Sequence, residues 1–228
     1  MNGGKHPLRR CASSPSPAGG GRSPWPGEAG STAALDEARA PEQPLPRLAG
    51  DGVVWLLVLA ELLTFGVLFV SFAVARHLQP DVFGPGQAAL SLHTGALNTL
   101  LLVAASWAAV RAVRCFEADQ RRAGSHWLLA ALAGAIGFLV IKTHEFVGKV
   151  QAGFDWATNA FTLLYTLLTG FHYLHVVVGA IVFAVLWRKA RTGAYGKADH
   201  MAPASGAVFW HMVDLLWMVL FPLVYVIR

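Results

Sequence analysis

The sequence predicts an all-α integral membrane protein, built as a bundle of five transmembrane helices. Of its 228 residues, 55% are apolar and 14% are charged, whereas a soluble domain carries about 25% charged residues. Residues 82–110 and residues 156–187 contain no Asp, Glu, Lys or Arg. Each run exceeds the roughly 20 residues that a helix needs to cross a bilayer core. These observations exclude a soluble enzyme and a nucleic-acid-binding protein.

Residues 1–48 differ in composition from the rest, and we predict that they form a disordered cytoplasmic tail. Eight of the twelve prolines lie before residue 50, among glycine, serine and alanine. A chain of this composition cannot bury enough apolar surface to offset the entropy lost on ordering. Its arginines precede no apolar stretch of the kind found in a secretory signal peptide.

Five apolar segments follow within residues 49–228, and each is long enough to cross a membrane as a helix. Glu61 is the single charge in the first segment, and Asp214 is the single charge in the last. Pro80 and Pro85 mark the first connection. The predicted spans are residues 53–75, 88–110, 126–147, 159–187 and 204–227.

The positive charges predict how the bundle is oriented. Fourteen of the eighteen Lys and Arg residues lie in the tail, between spans two and three, or between spans four and five. With five crossings these regions share one side, which the positive-inside rule assigns to the cytoplasm. We therefore expect a multi-pass protein of the bacterial inner (plasma) membrane, with its N-terminus inside and its C-terminus outside. Tryptophans near the span ends are typical of interfacial belts: Trp55, Trp127, Trp156 and Trp187.

Two carboxylates inside the spans are the first candidates for a function. An ionisable residue at the bilayer centre costs about 2.5 to 3.5 kcal/mol on insertion scales. Glu61 and Asp214 lie at similar depth, so they could share one buried cluster. Because burial favours the neutral form of an unpaired carboxylate, Glu61 is a candidate proton-exchanging group. Pairing with a histidine would instead give it a structural role.

Three histidines in the last two spans are further polar candidates. His211 lies three residues before Asp214 and therefore on the same helix face. His172 and His175 repeat this spacing. Hydrogen bonding between helices is the alternative interpretation of these histidines and of Asn98. We predict no metal or haem site in this chain, because no H-x-x-x-H or C-x-x-C spacing is present.

Two charged groups of the third span are predicted to pair with each other. Lys142 and Glu145 are three residues apart in the third span, which predicts a local ion pair. We expect Lys142 to extend its long side chain to the outer surface. Trp210 joins Asn98 and Glu145 as a predicted packing residue.

Five motifs, in order along the five spans, resemble those of a known family. They include LAE at 59–61, LNT at 97–99, GF to EF at 137–146, TGFHYLHV at 169–176 and FWHMVDLLW at 209–217. Together they are similar to subunit III of the haem-copper oxidases, the cytochrome c oxidase subunit III family, over residues 51–228. The resemblance implies a five-helix form that lacks the first two helices of the seven-helix form.

The resemblance also implies a function. A subunit of this family carries no haem, copper or iron. It packs against catalytic subunit I, protects the turnover of that subunit and supports proton uptake. Phospholipid is an expected ligand. Residues 141–146 and 219–223 resemble the nitric-oxide-reductase-associated branch more closely, so the partner is an oxidase or a nitric oxide reductase. Glu61 would be the family's buried carboxylate. The helix-linking polar set would be His172, His175, His211 and Asp214.

Two other classes of function remain open from the residues. A free-standing proton or small-solute carrier could use Glu61, although no inverted repeat supports it. A membrane cytochrome with its own haem would need histidines on facing helices at one depth, whereas His172 and His175 share a single helix.

Overall fold

A computed structural model describes residues 52–151 and 158–227 of the chain. The predicted tail and Trp156 lie outside these residues. The described part forms helices joined by short connections. They are α1 (Gly52–Leu78), α2 (Pro80–Ala88), α3 (Leu92–Glu117), α4 (Arg121–Gln151), α5 (Ala160–Arg191) and α6 (Met201–Phe221), which runs into a π-helical turn (Pro222–Val226).

Five of these helices are long and apolar enough to cross a membrane: α1, α3, α4, α5 and α6 with its π-helical turn. The predicted all-α bundle of five spans is therefore confirmed, one long helix for each span. Every backbone polar group inside a bilayer must be bonded within the protein, and continuous helices meet that requirement. The orientation of the two termini stays a prediction.

Four of the long helices close into a ring. α3 packs on α4, α4 on α5, α5 on α6, and α6 on α3. Ala105 of α3 is buried and faces Gly134 of α4, and these small residues let the two backbones approach closely. α1 lies outside this ring against α5 and α6. Its buried residues are Val58, Phe65 and Phe72, a stripe at intervals of seven, and most of its remaining surface is exposed.

The short helix α2 occupies a stretch that its two prolines had marked as a connection. Pro80 takes the first helical position, where the missing N–H costs nothing. The buried Phe83 ring packs edge-on against Phe72, with centroids 5.2 Å apart. Gln87 is buried and donates from Nε2 to the carbonyl oxygens of Val224 and Ile227, each at 3.0 Å. α2 is therefore hydrogen-bonded to the π-helical turn and to Ile227, which follows it. We call this side of the bundle the Gln87 end.

The opposite side, which we call the Asp119 end, holds the α3–α4 turn and the α5–α6 connection. Asp119 adopts a left-handed backbone conformation, with φ of 56°. Its Oδ1 accepts from Arg121 Nε at 3.1 Å, and Arg121 also donates to the carbonyl of Gly193 at 3.2 Å. The Arg121 guanidinium lowers the pKa of the Asp119 carboxyl below its ordinary value. This pair joins the two connections at one face of the bundle.

Candidate functional site

Glu61 pairs with His175 across the contact between α1 and α5. The Glu61 Oε2 atom lies 3.2 Å from His175 Nε2. Both groups are partly covered, with 28% of the Glu61 side chain and 15% of the His175 side chain exposed. The Phe65 ring packs edge-on against the imidazole, with centroids 5.4 Å apart. An aromatic ring therefore flanks an ionisable pair inside the membrane-spanning part.

The hydrogen bonds of His175 restrict where its protons lie. Nδ1 is 2.7 Å from the carbonyl oxygen of Phe171. A carbonyl oxygen only accepts, so Nδ1 carries a hydrogen. The contact from Nε2 to Glu61 then needs one proton between the two atoms, on the imidazole or on the carboxyl. The pair is thus either an imidazolium with a carboxylate, or a neutral imidazole with a carboxylic acid.

His211 and Asp214 form a separate group on α6. His211 Nδ1 lies 2.6 Å from the hydroxyl oxygen of Ser106 on α3. Asp214 Oδ1 is buried and has no hydrogen-bond partner in the described part of the chain. Glu61 pairs with His175 on α5, whereas His211 bonds to Ser106 on α3. That Glu61 and Asp214 share one cluster stays a prediction.

His172 differs from His175, although the two are three residues apart. His172 is fully buried, and neither ring nitrogen has a hydrogen-bond partner among residues 52–151 and 158–227. Its ring lies among aromatic rings instead, with centroid distances of 5.0 Å to Trp217 and 5.6 Å to Phe138. The predicted hydrogen bond from His172 to another helix is therefore wrong within these residues, because this face of α5 packs against aromatic side chains.

Two of the predicted packing residues are buried without side-chain hydrogen bonds. Neither amide atom of Asn98 has a partner within the described segments, so the expected bond between helices is absent there. Trp210 likewise leaves Nε1 without a partner in those segments. Its ring nevertheless fits closely against α5: a Cβ placed on Gly179 would lie 2.7 Å from it. Trp210 thus joins α6 to α5 through close packing of its ring.

The third predicted packing residue, Glu145, is at the centre of a buried network. Its Oε2 accepts from Lys142 Nζ at 2.9 Å, and its Oε1 accepts from Lys149 Nζ at 3.0 Å. Tyr165 of α5 donates to Glu145 Oε1 at 2.9 Å. Lys142 Nζ also donates to the Tyr225 hydroxyl at 2.7 Å. We call these five residues the Glu145 network; it links α4, α5 and the π-helical turn.

The predicted Lys142–Glu145 ion pair is confirmed, but the predicted path of the lysine is wrong. Lys142 does not extend to the surface: its side chain is fully buried. The reason is that two tyrosine hydroxyls and a carboxylate satisfy its ammonium group inside the bundle. Lys142 within an apolar helix was visible in the sequence, and the i, i+4 spacing of Glu145 and Lys149 could have predicted the second ion pair. Nothing in the sequence placed Tyr165 or Tyr225 beside them.

Family models and known proteins identify the chain's relatives. The model described as Cytochrome c oxidase subunit III matches residues 51–227. The chain belongs to the cytochrome c oxidase subunit III family. It is 30% identical over 200 residues to "Cytochrome c oxidase subunit 3" of Thermostichus vulcanus, covering 87% of this chain and 94% of that protein.

Two further relatives of the subunit III family extend the comparison. "Cytochrome c oxidase subunit 3" of Synechocystis sp. is 31% identical over 183 residues, covering 80% of this chain and 77% of that protein. "Heme-copper oxidase subunit I+III" of Aeropyrum pernix is 25% identical over 190 residues, covering 81% of this chain and 23% of that protein.

Membership of the subunit III family settles the general role. The chain is a non-catalytic subunit of a haem-copper oxidase and associates with its subunit I. With its five apolar helices and its bacterial relatives, it is a multi-pass integral protein of the bacterial plasma membrane. The family does not favour the free-standing carrier. Among the described residues, no three His, Cys, Asp or Glu side chains are grouped so as to hold a metal ion.

Proposed function

We propose that this subunit supplies protons to catalytic subunit I through the Glu61–His175 pair. The single proton required between Glu61 and His175 carries the proposal. A carboxyl and an imidazole that share one proton can accept a second and release it again, as a relay requires. Glu61 is partly exposed on α1, the least covered of the long helices, so the pair is open to a partner subunit that packs against this helix.

The other intramembrane carboxylates are less suited to this role. Glu145 is bonded to two lysines and a tyrosine, which hold it as a structural ion pair. Asp214 lies on α6 beside His211, whose Nδ1 bonds Ser106. We assign both to stabilising the bundle against which subunit I packs.

The proposal includes the partner and its ligands. A protein named subunit I+III joins the two subunits in its name and supports direct contact between them. Haem, with copper or iron, would lie in the partner, and phospholipid would be the ligand of this chain. The sequence of residues 141–146 favours a second candidate, a nitric oxide reductase as the partner.

The test begins with the complex purified from its native membrane. Absorbance spectra and the rates of O₂ and NO consumption identify the haem-containing partner and decide between the two enzymes. Purification without any haem-containing subunit would contradict the proposal.

Substitution of Glu61 then tests the proton relay. In the assembled complex, Glu61→Gln removes the exchangeable carboxyl but keeps the hydrogen-bonding shape. We expect a severalfold slower proton uptake in stopped-flow measurements with a pH indicator, most marked at alkaline pH where protons are scarce. Glu117→Gln, the same change at the end of α3, should leave the rate unchanged. Equal rates in the Glu61 variant and the unmodified complex would show that the pair is only structural.

A further inference from the structure

The interior of the four-helix ring holds polar groups that the proposed function does not use. Asn98 of α3 and His172 of α5 are both fully buried. Neither amide atom of Asn98 and neither ring nitrogen of His172 has a hydrogen-bond partner among residues 52–151 and 158–227. Buried polar atoms in proteins are nearly always bonded to other protein groups or to ordered water. Four such atoms on two side chains therefore point to a polar ligand inside the ring.

Trp217 of α6 places the two side chains at the same level of the ring. Its Nε1 donates to Thr99 Oγ1 on α3 at 2.9 Å, and its ring centroid lies 5.0 Å from that of His172 on α5. Asn98 directly precedes Thr99 along α3. Asn98 and His172 therefore lie beside the same indole, although they belong to different helices.

The two helices that carry Asn98 and His172 stand at opposite corners of the ring, because each packs against α4 and α6. Neighbouring helices pack about 8–10 Å apart, so the diagonal of such a ring is about 11–14 Å. At this level α4 contributes the apolar Phe138 ring, and the indole N–H from α6 is already bonded to Thr99. A small molecule on the diagonal is the partner that can reach both side chains.

Water has the chemistry that these two side chains require. A neutral imidazole offers one donor and one acceptor nitrogen, and an amide offers both donors and acceptors. A water molecule can donate to one side chain and accept from the other, and a buried water typically makes about three hydrogen bonds. Because both residues are fully buried, neither a lipid headgroup nor a side chain of a partner subunit can take this place.

We propose that ordered water bound at the level of Trp217 bridges Asn98 and His172, and so links α3 to α5 across the ring. The bridge takes the place of the direct bonds to other helices that these two side chains do not make. The inference does not rest on the proposed proton relay, because it uses neither Glu61 nor His175.

A map of the assembled complex, at a resolution that shows ordered water, tests the bridge without any substitution. We expect a water peak within about 3.2 Å of a ring nitrogen of His172 and of an amide atom of Asn98, either directly or through a second water. Three results would overturn the proposal: no peak at this level, water bonded to only one of the two side chains, or a direct bond between them.

A double-mutant cycle on the full chain in detergent tests whether the two side chains are coupled. Asn98→Leu and His172→Phe each leave the other group with an incomplete set of bonds, whereas the double variant releases the water. The unfolding equilibrium constant of the double variant should therefore be about tenfold lower than the product of the two single effects predicts.

The control for this cycle pairs Asn98→Leu with Thr166→Val. Thr166 of α5 also has a buried hydroxyl without a partner in the described part of the chain, but it lies six residues, about 9 Å along the helix, before His172. We expect the effects of the control pair to multiply within about twofold. Equal coupling in the two pairs, or no coupling between Asn98 and His172, would contradict the bridge. If a variant fails to fold, the map decides alone.

Discussion

Lys142 shows how a single residue can be buried in a membrane protein at an acceptable cost. A lone ammonium group in the bundle would be strongly destabilising. Here Glu145 neutralises its charge, and the hydroxyls of Tyr165 and Tyr225 accept its remaining hydrogens. The pair therefore depends on both partners. Removing Glu145 leaves the Lys142 charge buried without its carboxylate, whereas removing both also removes that buried charge.

This dependence predicts non-additive effects on stability. Glu145→Gln should lower the free energy of unfolding by about 3 to 5 kcal/mol, because it leaves the Lys142 charge buried without its carboxylate. The double variant Glu145→Gln with Lys142→Met should lose less than Glu145→Gln alone. Unfolding by detergent titration measures both, with Glu117→Gln as the exposed control. A double variant less stable than Glu145→Gln would show that the pair is not coupled.

At the scale of the helices, close approach is decided by a few glycines. A Cβ on Gly134 of α4 would lie 2.8 Å from the Cβ of Ala105 on α3 and 3.1 Å from the carbonyl oxygen of Leu101. Real Cβ atoms do not approach another carbon so closely, so the two helices would have to separate. Gly170 on α5 looks equivalent in the sequence, yet nothing lies within 4 Å of the Cβ position there.

The two glycines should therefore respond differently to the same substitution. Gly134→Ala should destabilise the protein by about 1 to 3 kcal/mol through overpacking. Gly170→Ala should be neutral, or stabilise it by up to about 1 kcal/mol, because alanine is the better helix former. Thermal unfolding in detergent, followed by circular dichroism, compares them directly. Equal losses at both positions would contradict this account of the α3–α4 contact.

The sequence predicted the helices well because hydropathy alone determines a membrane span. It could not show which face of each helix meets which neighbour. His172 and His175 illustrate the limit: their spacing is that of one face, but one ring lies in the aromatic core and the other meets α1. It also missed α2, because two prolines in nine residues favour a connection unless tertiary contacts such as those of Phe83 stabilise a helix.

At the scale of the whole bundle, its two ends differ in the number of positively charged residues. Eight of the eleven described Lys and Arg residues lie at or near the Asp119 end. At the other end, Lys142 and Lys149 are paired with Glu145, and Arg76 donates to the carbonyl of Ile227. By the positive-inside rule, this distribution predicts that the Asp119 end faces the cytoplasm.

Cysteine labelling tests this orientation. In a background of Cys11→Ser and Cys115→Ala, Gly84→Cys places a thiol in α2 at the Gln87 end, and Thr192→Cys places one at the Asp119 end; both positions are exposed. A membrane-impermeant maleimide should label Gly84→Cys in intact spheroplasts, and Thr192→Cys only in inverted vesicles. The reverse pattern would show that the predicted orientation is wrong. Labelling of both from one side would contradict the fold itself, because α3 and α4 each connect the two ends across the membrane.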